Sequence, residues 1–399
     1  MSSKVRTTAV TLLIAALAVL SAIFFTHNTD FQVYWYGIRK FVSGGPLYGP
    51  HSGIGYPQEF RYPPVTVLFF LPLTWPPLRV ASFLWTVGAW AVCAAASALA
   101  IRKWRLTFSP AGAVLGLILL APFAFLAVKF GNVQPYLVAL ILLGLLWAEE
   151  HPAWSGAALA IAICFKVWPL FFAPWFLLRR RILTLFYACA GSIVLWASPI
   201  VYFGWRRYVE LLQDFLAHVY ALASNPETVW YSGQSLRGVA FRFLTHATPP
   251  RDGYPDMSFA ALSPALVGDC CLALSVIIYG WAVYAMWRAP ESRRFLWDSI
   301  AFVLFSILQP FALNSGLISL LPAILTAAHV FSNRRGFSPA ARHWFVAAVG
   351  FSILSSITFY RPFQRATLML GVDFWIMLAL GVSLIFAARS NLDSAKSRS

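Results

Sequence analysis

The sequence predicts an all-α polytopic membrane protein: a bundle of about 12 transmembrane helices, with amphipathic surface helices in two long extracytoplasmic loops. Three observations predict it. The 399 residues are 60% hydrophobic and only 11% charged, with a mean hydropathy of +0.70, whereas a soluble domain is about 45–50% apolar and about 25% charged. Apolar runs long enough to cross a bilayer recur along the chain. Short loops between them collect lysine and arginine. Barrel strands would be shorter and would alternate. The net charge of +16 therefore reads as loop charge on a membrane protein, not as a nucleic-acid surface.

Taken in order, spans are expected at about 8–26, 78–101, 110–128, 133–148, 153–165, 167–178, 182–203, 263–287, 295–312, 316–332, 342–360 and 366–388, with boundaries loose by several residues. The first is read as a retained helix rather than a cleaved leader, because its apolar run is long and lacks a small-x-small site. The pieces 153–165 and 167–178 are too short to cross about 30 Å singly, so they read as a hairpin turning at "CFKVWP". This topology puts both ends in the cytoplasm, together with Arg102, Lys103, Arg179, Arg180, Arg181, Arg288, Arg293, Arg294 and Arg389. The whole chain, 1–399, is read as a single membrane-embedded unit. Its long outer loops are at about 27–77 and 204–262.

Neither loop is a polar linker. In "DFQVYWYGIRKFV", Phe31, Tyr34, Ile38 and Phe41 recur three and four apart, the stripe of an amphipathic helix lying on the membrane surface. "FRYPPVTVLFFLPLTWPP" is broken by prolines into an interfacial or re-entrant piece. "RRYVELLQDFLAHVYAL" in the second loop is amphipathic again. Irregular backbone at membrane depth survives where protein buries it or where it lines a wet cavity, so a cavity is expected on the outer face.

Several residues are candidates for chemistry there. Asp30 could be a general base, or simply the N-cap of the helix that follows; an N-cap and a base both need the ionised form. Lys129, Lys166, Arg361 and Arg365 form a set of outer cations suited to an anionic group such as a phosphate. Against that, a lysine at membrane depth can snorkel, and interfacial arginines can anchor headgroups. Tyr34, Asn132, Gln134, Trp230, Tyr231, Gln234 and Ser235 combine neutral polar groups with rings, as a sugar site would. The same rings could be interface-belt aromatics. Asp269 and Asp373 would be coupling acids if the protein were a transporter. No histidine or cysteine spacing marks a metal site, and no phosphate-cradling glycine loop is present. Neither metal nor cofactor is expected, and His27, His218 and His246 read as plain interfacial residues.

The run "TDFQVYWYGIRKFVSGGPLYGP", then "FRYPPVTVLFFLPL", then "GNVQPYLVALILLGLLWAEEHPAWSGAALAIAICFKVWPLFF", with "YSGQSLRGVAFRF" later, resembles the GT-C superfamily of membrane glycosyltransferases, specifically glycosyltransferase family 87. That resemblance implies a GT-C type helical bundle. It also implies an inverting transfer of a hexose, usually mannose, from a polyprenyl-phosphate donor to a glycolipid or glycan acceptor. Transfer would take place on the extracytoplasmic face of the cell membrane, with the acid at Asp30 as base and no nucleotide site. An arabinofuranosyltransferase or another polyprenyl-phosphate sugar transferase fits the same pattern. A transporter or lipid flippase is the alternative outside the enzyme class. One departure stands out. Where the family carries a tryptophan and histidines before a late proline, "QPFALNSGLISLLP" has Leu313, Ser315 and Gly316, which leaves the donor phosphate to another cation.

Overall fold

The computed structural model describes residues 29–49, 59–224, 233–246, 254–309, 312–333, 337–357 and 360–389. The span expected at about 8–26 lies outside them, as do Trp230 and Tyr231. Among the described residues the protein is helical and forms no strand; Gly233 and Leu313 make an isolated antiparallel bridge.

The chain starts with α1 (Thr29–Val42), whose first turn holds Asp30. Phe31, Tyr34, Ile38 and Phe41 do share one face, but that face is buried in protein rather than laid on lipid. Tyr34 stacks on Phe70 at 4.5 Å between centroids, and Phe31 lies 5.5 Å from Trp85. The proline-broken stretch that follows gives only α2 (Thr66–Phe70) and a 3-10 turn, Leu71–Thr74.

A serial bundle comes next. It comprises α3 (Leu78–Lys103), α4 (Pro110–Phe130), α5 (Gln134–Trp147), α6 (Pro152–Phe165), a 3-10 turn at Trp168–Phe172 with α7 (Ala173–Leu178), and α8 (Ile182–Phe203). Then come α9 (Trp205–Ser224), α10 (Leu236–Leu244), α11 (Pro264–Arg288) and α12 (Arg294–Leu308). A 3-10 turn, Asn314–Leu320, leads into α13 (Leu321–Ser332), and α14 (Pro339–Ser355), α15 (Arg361–Met369) and α16 (Val372–Arg389) complete the order. Against the dozen spans expected, six helical segments among the described residues are long and apolar enough to cross a membrane: Leu78–Lys103, Pro110–Phe130, Ile182–Phe203, Pro264–Arg288, Asn314–Ser332 and Val372–Arg389. The other helices among the described residues are shorter or, like the 20-residue α9, less apolar.

Local chemistry sets the starts and stops. α4, α11 and α14 each open on Ser–Pro: the serine side chain accepts from the backbone N–H three residues on, and proline takes the first helical position. Gly131, at φ +65°, ends α4 in the left-handed conformation that glycine adopts at low cost.

Packing uses two devices. Small residues let helices approach: a Cβ on Gly156 of α6 would sit 2.8 Å from the Ala188 backbone nitrogen of α8. Large apolar faces stay outside. On α8, Ile193 and Val194 are exposed, and on α11, Leu272, Val276 and Ile277 are exposed. In water such faces would be a liability; lipid tails cover them at no hydrophobic cost.

The two ends of the bundle are built differently. The Asp30 end carries the long irregular loops, and α9 docks there through His218, 3.4 Å from Glu59 and stacked on Tyr48. The opposite end carries Lys103 paired with Glu150 (2.8 Å), Arg181 with Glu149 (3.1 Å), and Arg293, whose guanidinium donates to the Ala387 carbonyl (2.6 Å). Arg179, expected as plain loop charge, is instead a buried partner of Asp298 at 2.7 Å and ties the end of α7 to α12. Removing one member strands the other away from water. Asp298→Ala is therefore expected to lower stability by about 3–5 kcal/mol, read as a drop in thermal midpoint of the detergent-solubilised protein. Replacing both Arg179 and Asp298 by methionine should recover most of that loss.

Candidate active site

Three turns meet at the Asp30 end of the bundle. The left-handed Gly131 turns the chain out of α4, and Pro135 sets the first turn of α5, so Asn132 and Gln134 fall in a two-sided corner. Trp85 of α3 fixes that corner from beneath, its indole N–H donating to the Gly131 carbonyl (2.9 Å). α5 and α6 form an antiparallel hairpin, which returns the end of α6 to the start of α5. Lys166 follows α6 in extended conformation and meets that start.

The Asn132 side chain has both ends in use. Its Oδ1 accepts from the Gln134 backbone N–H (2.9 Å), so its Nδ2 faces the other way and donates to Asp30 Oδ2 (3.0 Å). Lys166 Nζ donates to Gln134 Oε1 (3.3 Å). Asp30, Asn132, Gln134 and Lys166 thus form one connected cluster. Asp30 lies in the first turn of α1, inside the helix rather than capping it.

The electrostatics match this geometry. Burial pushes the Lys166 ammonium down to about 8, and the Asp30 charge opposes that fall. Burial, then Tyr62 and Asp30, push the Tyr34 phenol well above the usual range for tyrosine. Tyr34 is therefore a neutral neighbour of a carboxylate. Chemically, the cluster offers a fixed acceptor for a proton and, beside it, a cation for a phosphate oxygen.

The other candidates are placed differently. Tyr34, expected to touch sugar or acceptor, is 2% exposed; its hydroxyl is bonded to that of Tyr62 (2.8 Å), and Phe70 covers a face of its ring. It supports Asp30 from below. Gln234 and Ser235 are fully buried. The Gln234 side-chain amide donates to the Leu368 carbonyl (3.2 Å), and Ser235 caps α10 by accepting from the Gly238 N–H (3.0 Å). Of the cations expected to hold phosphate with Lys166, Lys129 is exposed at the end of α4 and lies over the Phe130 ring. Arg361 is exposed at the start of α15, and Arg365 lies 5.3 Å over the Tyr254 ring.

The two acids assigned to transport do not form a relay. Asp269 is exposed on α11, Asp373 is 2% exposed and accepts from Ser355 (2.6 Å), and among the described residues no hydrogen bond or ion pair joins them. A shallow hollow of ≈340 Å³ lined by Trp147, His151 and Trp154 sits at the far end of the α5–α6 hairpin, away from Asp30.

Two residues near the site had no signal strong enough to single them out. Arg61 is exposed beside Tyr62, and its charge acts on that phenol together with Asp30. In the sequence it is one more arginine in a proline-rich loop. Arg242 is 3% exposed inside an amphipathic stretch whose other basic residue, Arg237, is half-buried. Its burial could not be read from spacing.

Comparison with known proteins adds to this geometry. Two curated relatives carry the name polyprenol-phosphate-mannose-dependent alpha-(1-2)-phosphatidylinositol mannoside mannosyltransferase. The one from Mycobacterium tuberculosis is 28% identical over 173 residues, 39% of this chain and 40% of the relative. The one from Mycolicibacterium smegmatis is 28% identical over 187 residues, 42% of each. The match thus spans well under half the length of these relatives. Among solved structures, ArnT from Cupriavidus metallidurans bound to undecaprenyl phosphate aligns over 98% of this chain and 80% of that one, at 17% identity and a TM-score of 0.45. The model of glycosyltransferase family 87 matches residues 60–310. That interval is well over half of the sequence and includes Asn132, Gln134 and Lys166; the chain belongs to glycosyltransferase family 87.

Proposed function

We propose that the protein is an inverting glycosyltransferase that moves a hexose, mannose in the first instance, from a polyprenyl-phosphate donor to a glycolipid or glycan acceptor at the extracytoplasmic face of the cell membrane. The observation that carries this reading is the cluster of a carboxylate held by an amide next to a half-buried ammonium. Family membership supports glycosyl transfer. The names of the two mannosyltransferases support a lipid-linked mannose donor. The basic residues of the short loops at the end opposite Asp30, such as Arg102, Lys103, Arg179, Arg180, Arg181, Arg293 and Arg294, support an outward-facing site.

Asp30 takes the proton of the acceptor hydroxyl as that oxygen bonds to the anomeric carbon. The bond from that carbon to the phosphate oxygen breaks on the opposite face, and the electron pair leaves with polyprenyl phosphate. Lys166 stabilises the charge that grows on the departing phosphate. Asn132 keeps the Asp30 carboxylate in one orientation, which removes a rotational search before attack. Lys129, Arg361 and Arg365 are assigned to the approach of the anionic donor, and Arg61 joins them on the Asp30 side. Gln134 orients Lys166. Trp230 and Tyr231 remain assigned to sugar or acceptor.

Incubation of the purified protein with a panel of polyprenyl-phosphate sugars, following released polyprenyl phosphate, tests the reading directly. Asp30→Asn should lower kcat by about a hundredfold or more with donor KM little changed; near-full turnover would refute the base assignment. Lys166→Met should cost about 1.5–3 kcal/mol of donor interaction, roughly tenfold or more in KM. Because the Lys166 ammonium titrates at about 8, it is charged below that pH and lost above it. Donor affinity should therefore fall as pH rises through this region. Lys166→Arg should abolish that alkaline fall, since guanidinium stays charged.

A further inference from the structure

Arg242, on α10, lies outside the cluster described above, yet it is among the most enclosed cations of the described residues, at 3% exposure. Its Nε donates to the Met369 carbonyl (3.1 Å), and its Nη1 donates to the Gly233 carbonyl. Met369 ends α15, where carbonyls lack helical partners, so the guanidinium closes that terminus. Room for it comes from Gly371, at φ +68°: a Cβ there would stand 3.2 Å from Arg242 Nη2. The charge of Asp373, itself held by Ser355, acts on Arg242 from α16.

The segment so held continues toward the site. Next to Gly233, the Gln234 N–H donates to the Ala312 carbonyl (2.6 Å), and Gly233 bridges Leu313. The Gly316 N–H returns to the Leu313 carbonyl (2.8 Å). Gly316 in turn faces the Gln134 side chain; its Cβ position lies 3.9 Å from Gln134 Cγ. Gln134 is the residue that orients Lys166. A fork of two bonds on one planar group thus joins the second long loop to the α15–α16 turn, and through 312–316 to the lysine.

We propose that Arg242 is a positioning residue: by clamping Gly233 and Met369 it seats segment 312–316 against Gln134 and so fixes the side of the site that receives the donor's anionic group. It touches no substrate. This inference rests on the transfer reading given above for its kinetic half only.

The test uses the full-length protein in detergent and two readouts. Hydrogen exchange of the 312–320 amides needs no substrate: Arg242→Met should accelerate it by about tenfold or more, as expected when a closed segment opens locally. With polyprenyl-phosphate mannose as donor, the same variant should raise donor KM by about tenfold or more while kcat stays within about threefold. Arg242→Lys should recover only part of both effects, because one ammonium cannot make the planar fork. Should Arg242→Met fail to fold, Asp373→Asn, which keeps shape and removes the countercharge, should move both readouts in the same direction but less. Unchanged exchange at 312–320 in a folded variant, or a kcat loss with donor KM unaltered, overturns the proposal. A wild-type protein inactive on every lipid-linked sugar sinks the transfer reading and leaves the exchange result to judge the clamp alone.

Discussion

The Asn132 side chain is the hinge on which the site's geometry turns. An amide has one acceptor end and one donor end, and the backbone N–H of Gln134 occupies the acceptor end. The donor end then has one direction left, and Asp30 stands in it. A carboxylate near the edge of a low-dielectric bundle must find donors or lose its charge. Asn132 supplies a donor, and Lys166 supplies a nearby positive charge. The corner exists because Gly131 reverses the chain after α4 and Trp85 holds its carbonyl. Each of these features makes the next one possible.

Charge inside the bundle is handled in three ways. Lys166 keeps its ammonium at the site, half-buried, next to a carboxylate and an amide oxygen. Arg179 is spent on Asp298 and on the Arg294 carbonyl, at the opposite end, where it fixes α7 to α12. Arg242 is turned on backbone carbonyls at a helix end and a loop. A lone lysine is flexible and its proton can be lost; a guanidinium is planar and stays charged. That difference suits the first to a ligand and the other two to architecture. The apolar faces of α8 and α11 complete the picture, since they ask for lipid rather than a partner helix.

Tyr34, Gln234 and Ser235 show how composition misleads. Beside a sugar site, rings and neutral polar groups would bind carbohydrate; here the same groups build the walls. Tyr34 is locked between Phe70 and Tyr62, Gln234 reaches a carbonyl of α15, and Ser235 caps α10. A sequence shows that such a group is present and on which face of a helix it sits. It does not show whether the opposite surface is empty. Arg242 is the converse case: it reads as interfacial charge because nothing near it in sequence announces the two carbonyls it meets, which lie 9 and 127 residues away.

By itself the sequence determined the helical class, the membrane setting, the positions of most helices, the amphipathic character of α1 and the break between helical pieces at Lys166. These follow from hydrophobic period, serine and proline at helix starts, glycine at ends, and the length needed to cross lipid; all are local. It also marked Asp30 and Lys166, because charge is conspicuous in so apolar a chain. Only the tertiary structure decided that Asn132 turns to Asp30, that Gln134 holds Lys166, that the stripe of α1 faces protein, and that Arg242 closes a distant turn. Those outcomes depend on which surfaces meet between residues far apart in sequence, 32 positions for Gln134 and Lys166, 102 for Asp30 and Asn132 and 127 for Arg242 and Met369, and hydrogen-bond direction is settled only when both partners are in place.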